Sequence, residues 1–195
     1  MLFRSEFNKH YELDGKHSYL SPSQYSWLNY EEGKMKRRWT NEKKKEEGTY
    51  LHEMASMMIK TRTEAADINK AINLFVNDAI GFRMASEVVL KYSDNAFGTT
   101  DAISFDAKKK ILRIHDLKTG STKPSFKQLD VYAAYFCLEY NIDPTKITVI
   151  ERLYQGMGYV ENIPAPVDIK WTMERVIAAD AEVNEAIMDY KGPFS

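Results

Sequence analysis

The stretch "RIHDLKTGSTKPSFKQLDVYAAYF" (residues 113–136) decides how this chain is read. It begins at the end of an apolar strand and closes on an amphipathic helix carrying Gln128 and Tyr132. On a strand, residues two apart share a face, so Asp116 and Lys118 continue the face of Leu112 and Ile114, while Ile111, Arg113 and His115 share the other. An acid and a base on a face that ought to be apolar call for either pairing or chemistry.

Upstream, "GTTDAISFD" (98–106) places Asp101 on one strand face with Ile103 and Phe105. A tight hairpin to the next strand, 110–118, brings Asp101 and Asp116 to the same end of a sheet. With "SEVVLKYSD" (86–94) these runs form an antiparallel meander, separated by "NAFG" and "AKKK" at hairpin distances. A helix over about 125–140 follows, with Leu129, Tyr132, Ala133 and Phe136 in one stripe. The strand "KITVIERLYQ" (146–155) then returns parallel, because a helix intervenes.

Three helices precede the meander. One, over 19–39, starts at Ser21 as N-cap with Pro22 in its first turn and takes its apolar content from Tyr25, Trp27 and Leu28. A charged stretch separates it from a second over 48–60, where Leu51, Met54, Ala55 and Met58 recur at helical spacing and His52 lies one position off. A third runs over 64–80. A long terminal helix over 168–190 carries Trp171, Val176, Ile177 and Ile187 on or near its buried side. The order predicts an α/β fold in one domain of 195 residues: a mostly helical part to residue 84, a sheet and helix over 85–155, and a C-terminal helix.

A net charge of −1 gives the whole molecule no electrostatic claim on a polyanion. The charge is uneven, however: "KMKRRWTNEKKK" (34–45) holds seven Lys or Arg and one Glu. That run is either a solvated helix surface or a nucleic-acid face. The single Cys137, within an apolar run, reads as a small core hydrophobe, and its being alone excludes an internal disulfide, a cysteine-ligated zinc and a four-cysteine cluster. No leader-type apolar region opens the chain and no run reaches the length of a membrane span, so an intracellular, cytoplasmic protein with no membrane partner is expected.

Two adjacent carboxylates need a cation to offset their repulsion, and oxygen donors suit Mg²⁺ or Mn²⁺. Lys118 would then stand beside the attacking water in phosphodiester hydrolysis. The residues alone leave a second reading open, an Asp–Lys pair that protects a strand edge.

Four motifs in order add to this: "GTYLHE" with His52, "GTTD" with Asp101, "HDLKTG" with Asp116 and Lys118, and "QLDVY" with Gln128 and Tyr132. In this order, over roughly 48–155, the chain resembles the RecB-like, phage-type exonuclease branch of the PD-(D/E)XK nuclease superfamily. The resemblance implies a restriction-endonuclease-like αβββαβ core with a mixed sheet. It makes His52, Asp101 and Asp116 metal ligands, with the backbone carbonyl of Leu117 a further one and Glu87 an additional acid. Lys118 becomes the catalytic lysine, while Gln128 and Tyr132 order the site and contact the DNA backbone. A recombination or replication protein is the partner such enzymes imply. No Gly-x-x-x-x-Gly-Lys-Ser/Thr stretch is present, so no ATP-driven motor accompanies the domain.

The expected activity is therefore a Mg²⁺- or Mn²⁺-dependent deoxyribonuclease, an exonuclease acting on single- or double-stranded DNA with ends. Lys36, Arg37, Arg38, Lys43 and Lys44 would bind phosphates, and Trp39 would stack on a base. The rivals are a non-catalytic nucleic-acid-binding or assembly module keeping the same fold, and a hydrolase of small phosphoesters.

Overall fold

The structure, a computed structural model, describes Tyr11 and residues 18–121 and 123–190. Most of the N-terminal stretch read above as free of a leader-type apolar region lies outside the described residues. The chain divides into two compact units, Met1–Lys45 and Glu46–Ser195, and the division falls inside the first long helix, α1 (Lys34–Thr61).

In the first unit a 3₁₀ helix over Pro22–Asn29 precedes α1, so the single helix expected over 19–39 is two pieces. Pro22 does sit in the first turn, but the Ser21 hydroxyl bonds the Ser23 hydroxyl at 2.9 Å instead of capping. Gly33, at φ +77°, redirects the chain into α1, a conformation glycine adopts without steric cost. Tyr25 and Leu28 face solvent, contrary to their expected packing role. The charged stretch after residue 39 is helical too, because Arg38 and Glu42, one turn apart, pair at 3.4 Å along α1.

The second unit continues α1 and adds α2 (Ala71–Gly81), β1 (Ala85–Lys91), β2 (Phe97–Asp106), β3 (Ile111–Lys118), α3 (Lys127–Glu139), β4 (Thr148–Gln155), β5 (Gly158–Asn162) and α4 (Pro166–Asp189). The five strands lie in chain order, antiparallel except for the parallel β3–β4 pair. The β-β-β-α-β order and the parallel return of β4 are as expected. Strand β5 was not. Its signal is the Gly156-Met157 turn, with Gly156 at φ +66° joining Gln155 to Gly158.

Helix α2 begins at Ala71, not near 64, because local side-chain bonds hold the preceding segment out of helix. Asp67 accepts from the Asn69 N–H at 2.9 Å, and Asn77 both donates to and accepts from the Ala65 backbone. The sheet separates two cores. On one face Leu90, Ile103, Leu112, Ile114, Val149 and Leu153 meet Leu129, Ala133, Phe136 and Cys137 of α3 and Ile169 of α4. On the other, Ala102, Leu117 and Tyr154 meet Ala55 and Ile59 of α1 and Phe75, Val76 and Ala79 of α2. Burial pushes the Cys137 thiol up to about 11, in keeping with a packing role.

Two packing expectations change. The buried line of α1 is Gly48, Ala55, Ser56 and Ile59, and His52 falls on it rather than beside it. On α4, Trp171, Ile177 and Ile187 are exposed, while Ile169 and Thr172 are buried. Trp171 lies in the second turn, beside the buried Thr172 but on a face turned from the core. Residues 181–189 are exposed throughout because α3, with 13 residues against 24, covers only part of α4. Among the described residues no helix is long and apolar enough to cross a membrane.

Leu129, in the first turn of α3, is fully buried against the sheet. Leu129→Ala is expected to cost about 2–5 kcal/mol, the range for removing a core leucine, measured by urea denaturation followed by circular dichroism.

Candidate active site

The β2–β3 register runs from Asp106 opposite Ile111 to Ala102 opposite His115, and one more step sets Asp101 opposite Asp116. The ladder stops at that step. Asp101 Oδ2 accepts the Leu117 N–H at 2.8 Å, so a carboxylate takes the donor that a continuing strand would have used. The two aspartates are thus brought to one end of the sheet, as the hairpin required.

Asp116 is only 3% exposed. Burial holds its carboxyl above the ordinary carboxylate range, the Asp101 charge pushes it further the same way, and Lys118 pulls against both. Lys118 Nζ stands 2.8 Å from Asp116 Oδ2, a contact at ion-pair distance without hydrogen-bond alignment, so this buried oxygen has no hydrogen-bond donor. The ammonium donates instead to Gln128 Oε1 at 2.7 Å. Gln128 Nε2 donates to the Tyr132 hydroxyl at 3.3 Å, and that hydroxyl donates to the Thr99 carbonyl at 2.6 Å. One turn of α3 therefore ties the end of β3 to β2. Gly98 makes room for this, since a Cβ there would lie 3.0 Å from the Tyr132 ring.

His52 comes from the other side of the sheet, on α1. Its Nδ1 stands 3.3 Å from Asp101 Oδ1. The Asp101 hydrogen bond raises the His52 pKa against the opposing effect of burial. Ser56 and Lys60 follow at one-turn intervals on α1, and sequence reading missed both. They donate to Glu87 Oε2 at 2.8 and 2.7 Å, and Lys60 holds the Glu87 carboxyl below its ordinary value. The signal was available in the i, i+4, i+8 spacing from His52. Glu87 itself, suggested as an additional metal ligand, accepts both donors on its Oε2.

The turn after Lys118 is pressed from two sides. A Cβ on Gly48 would lie 2.8 Å from Thr119 Oγ1, so glycine allows α1 to approach this turn. Gln155 Nε2 donates to the Gly120 carbonyl at 2.6 Å. Of Leu117, the N–H is what reaches Asp101.

Among the described residues no three His, Cys, Asp or Glu side chains stand close enough to form a metal-binding group in this arrangement. The donor set nevertheless fits a hard divalent cation in kind. An imidazole and a first carboxylate are in contact, and a second carboxylate beside them has its pKa raised by burial and then by its neighbour's charge, and keeps an oxygen without an aligned hydrogen-bond donor.

The basic residues expected to contact DNA, Lys36, Arg37, Arg38, Trp39, Lys43 and Lys44, all lie on the part of α1 within the first unit. There the Arg38 guanidinium covers the Tyr19 ring at 4.9 Å, and Lys43 Nζ lies 5.9 Å from the exposed Trp39 ring. Comparison of the chain with family models, with curated proteins and with solved structures finds no match in any of the three.

Because the folded pKa of His52 lies above its unfolded value of about 6.5, the stabilisation it gives is complete below that pH and is lost as pH rises through the folded value. In thermal unfolding with EDTA, the stability difference between the wild type and His52→Gln is expected to shrink as pH rises from about 6 to about 9. A difference that does not vary with pH would separate His52 from Asp101.

Proposed function

We propose that the protein is a divalent-metal-dependent deoxyribonuclease of the PD-(D/E)XK type, acting as an exonuclease on DNA with ends. The observation that carries this reading is the Asp101–Asp116 juxtaposition with the Lys118 ammonium beside it, held by Gln128 through Tyr132. The αβββαβ element order and mixed sheet support a restriction-endonuclease-like core.

His52, Asp101 and Asp116 would hold Mg²⁺ or Mn²⁺, with the Leu117 carbonyl as a further ligand. Such an ion, when bound, makes a water more acidic and shields phosphate charge. The chain's own part is positional. Lys118, fixed by Gln128, orients the attacking water and stabilises the negative charge on the phosphoryl oxygens of the pentavalent transition state. The water gives up a proton to solvent as its oxygen forms the new P–O bond, one ester P–O bond breaks, and the leaving alkoxide oxygen takes up a proton from solvent. Tyr132 keeps Gln128 in line through its bond to Thr99. Lys36, Arg37, Arg38, Lys43 and Lys44 would take phosphates along the strand and Trp39 would stack on a base.

Incubated with linear single- or double-stranded DNA, the protein is expected to degrade it with Mn²⁺ and not with EDTA. Asp116→Asn should lower that rate about 10³-fold or more, and Lys118→Ala about 10²–10³-fold with Mn²⁺ affinity retained in calorimetry. Circular dichroism should show both variants folded. Wild-type turnover in Asp116→Asn would sink the mechanism. No metal-dependent loss of DNA by the wild type, over a range of ends and lengths, would leave a binding or assembly module, and faster cleavage of a mononucleotide ester would make it a small-phosphoester hydrolase.

A further inference from the structure

A second pair of acids lies behind α3, away from the residues discussed so far. Glu151 of β4 pairs in register with Ile114 of β3 and is fully buried. Its Oε2 accepts from Asn162 Nδ2 of β5 at 2.8 Å, and its Oε1 has no partner. The neighbouring carboxyl is Asp130 of α3, itself 6% exposed, with Lys127 Nζ at 3.4 Å from its Oδ2. Among the described residues, Asn162, Asp130 and Lys127 are the polar and charged groups that act most on Glu151. One exposed lysine cannot balance two buried carboxylates, and two like charges side by side in a core cannot both remain ionised.

We propose that Glu151 and Asp130 share one proton, carried on Glu151 Oε1 and donated to the Asp130 carboxylate, and that this bond seats α3 on the sheet. Asp130 is two residues from Gln128, so the pair would act as a positioning element for the Lys118–Gln128–Tyr132 chain; this last step rests on the nuclease reading. The balance is simple, since one proton occupies the pair at neutral pH and leaves to solvent in base. Two carboxylates then face each other and α3 loosens. Burial pushes the Glu151 carboxyl up to about 8, in agreement with the geometry. The folded value exceeds the unfolded one, so the stabilisation is complete in acid and falls away as pH rises towards about 8.

The test reads the proton first and activity second. In protein labelled with ¹³C-glutamate, with the resonance assigned by its loss in Glu151→Gln, the Glu151 carboxyl should titrate near 8. In Asp130→Asn that midpoint should move down. Glu151→Gln, whose amide keeps a donor towards Asp130, should flatten the fall in melting temperature that the wild type shows from about pH 6 to about pH 9. A Glu151 resonance that titrates in the ordinary carboxylate range would overturn the proposal, as would parallel melting profiles. If DNA is cleaved, Glu151→Gln should hold its rate to higher pH than the wild type. If DNA is not cleaved at any pH while the resonance still titrates high, the nuclease reading fails and the shared proton stands.

Discussion

At Asp101 the antiparallel ladder between β2 and β3 ends, and both backbone groups left over are taken by side chains. The Leu117 N–H goes to the Asp101 carboxylate and the Thr99 carbonyl to the Tyr132 hydroxyl. A backbone group buried without a partner is costly, so the Leu117 N–H, on a buried residue, needs the Asp101 carboxylate where the sheet opens. The exposed Thr99 carbonyl gains a fixed partner in place of water. The opening is what places an aspartate from each strand at one end of the sheet, with the lysine after them. Everything else in the site follows from it: Tyr132 must stand over Gly98, Gln128 must stand one turn earlier, and Lys118 must lie within reach of its amide.

A second irregularity supports the first from β1. Ser86 bonds Ser56 of α1 on one side of the sheet, while Val88 and Leu90 pack with α3 on the other. Residues of one parity ought to share a face, and Glu87 between them is in the left-handed region at φ +54°. A non-glycine residue there costs about 1–3 kcal/mol, which the surrounding contacts must offset. The bonds from Ser56 and Lys60 to the Glu87 carboxylate contribute to this, and they also fasten α1 one and two turns beyond His52. The strain in β1 and the seat of His52 on Asp101 are thus one arrangement.

Much of this was legible because it is local. The alternation of 98–106 and 110–118 fixed which residues face the same way, and the short hairpin fixed which ends meet. The spacing of Gln128 and Tyr132 fixed their common helical face. What was not legible depends on elements far apart in the chain. Helix α1 runs through a charged stretch because pairs one turn apart suit a solvated helix, and no periodic apolar signal marks that. His52 was read one position off its stripe because Gly48 and Ser56, two of the residues that define the buried line, are not apolar signals. The terminal helix misled for the opposite reason: its apolar residues suggest burial, but Trp171 stands beside the buried line and Ile187 lies in the exposed last turns.

Each acid of the site stands against one base: Asp101 against His52, Asp116 against Lys118, and Glu87 against Lys60. Such matching alone would keep a non-catalytic protein folded, since a buried carboxylate like Asp116 needs only a nearby positive charge. It does not explain why the Lys118 ammonium also has a neutral amide at 2.7 Å. Charge compensation tolerates a mobile ammonium. Orientation does not, and a group that must face a reacting oxygen gains from every bond that removes its freedom. The Gln128–Lys118 bond is therefore the contact that charge compensation leaves unexplained and that the proposed hydrolysis would use.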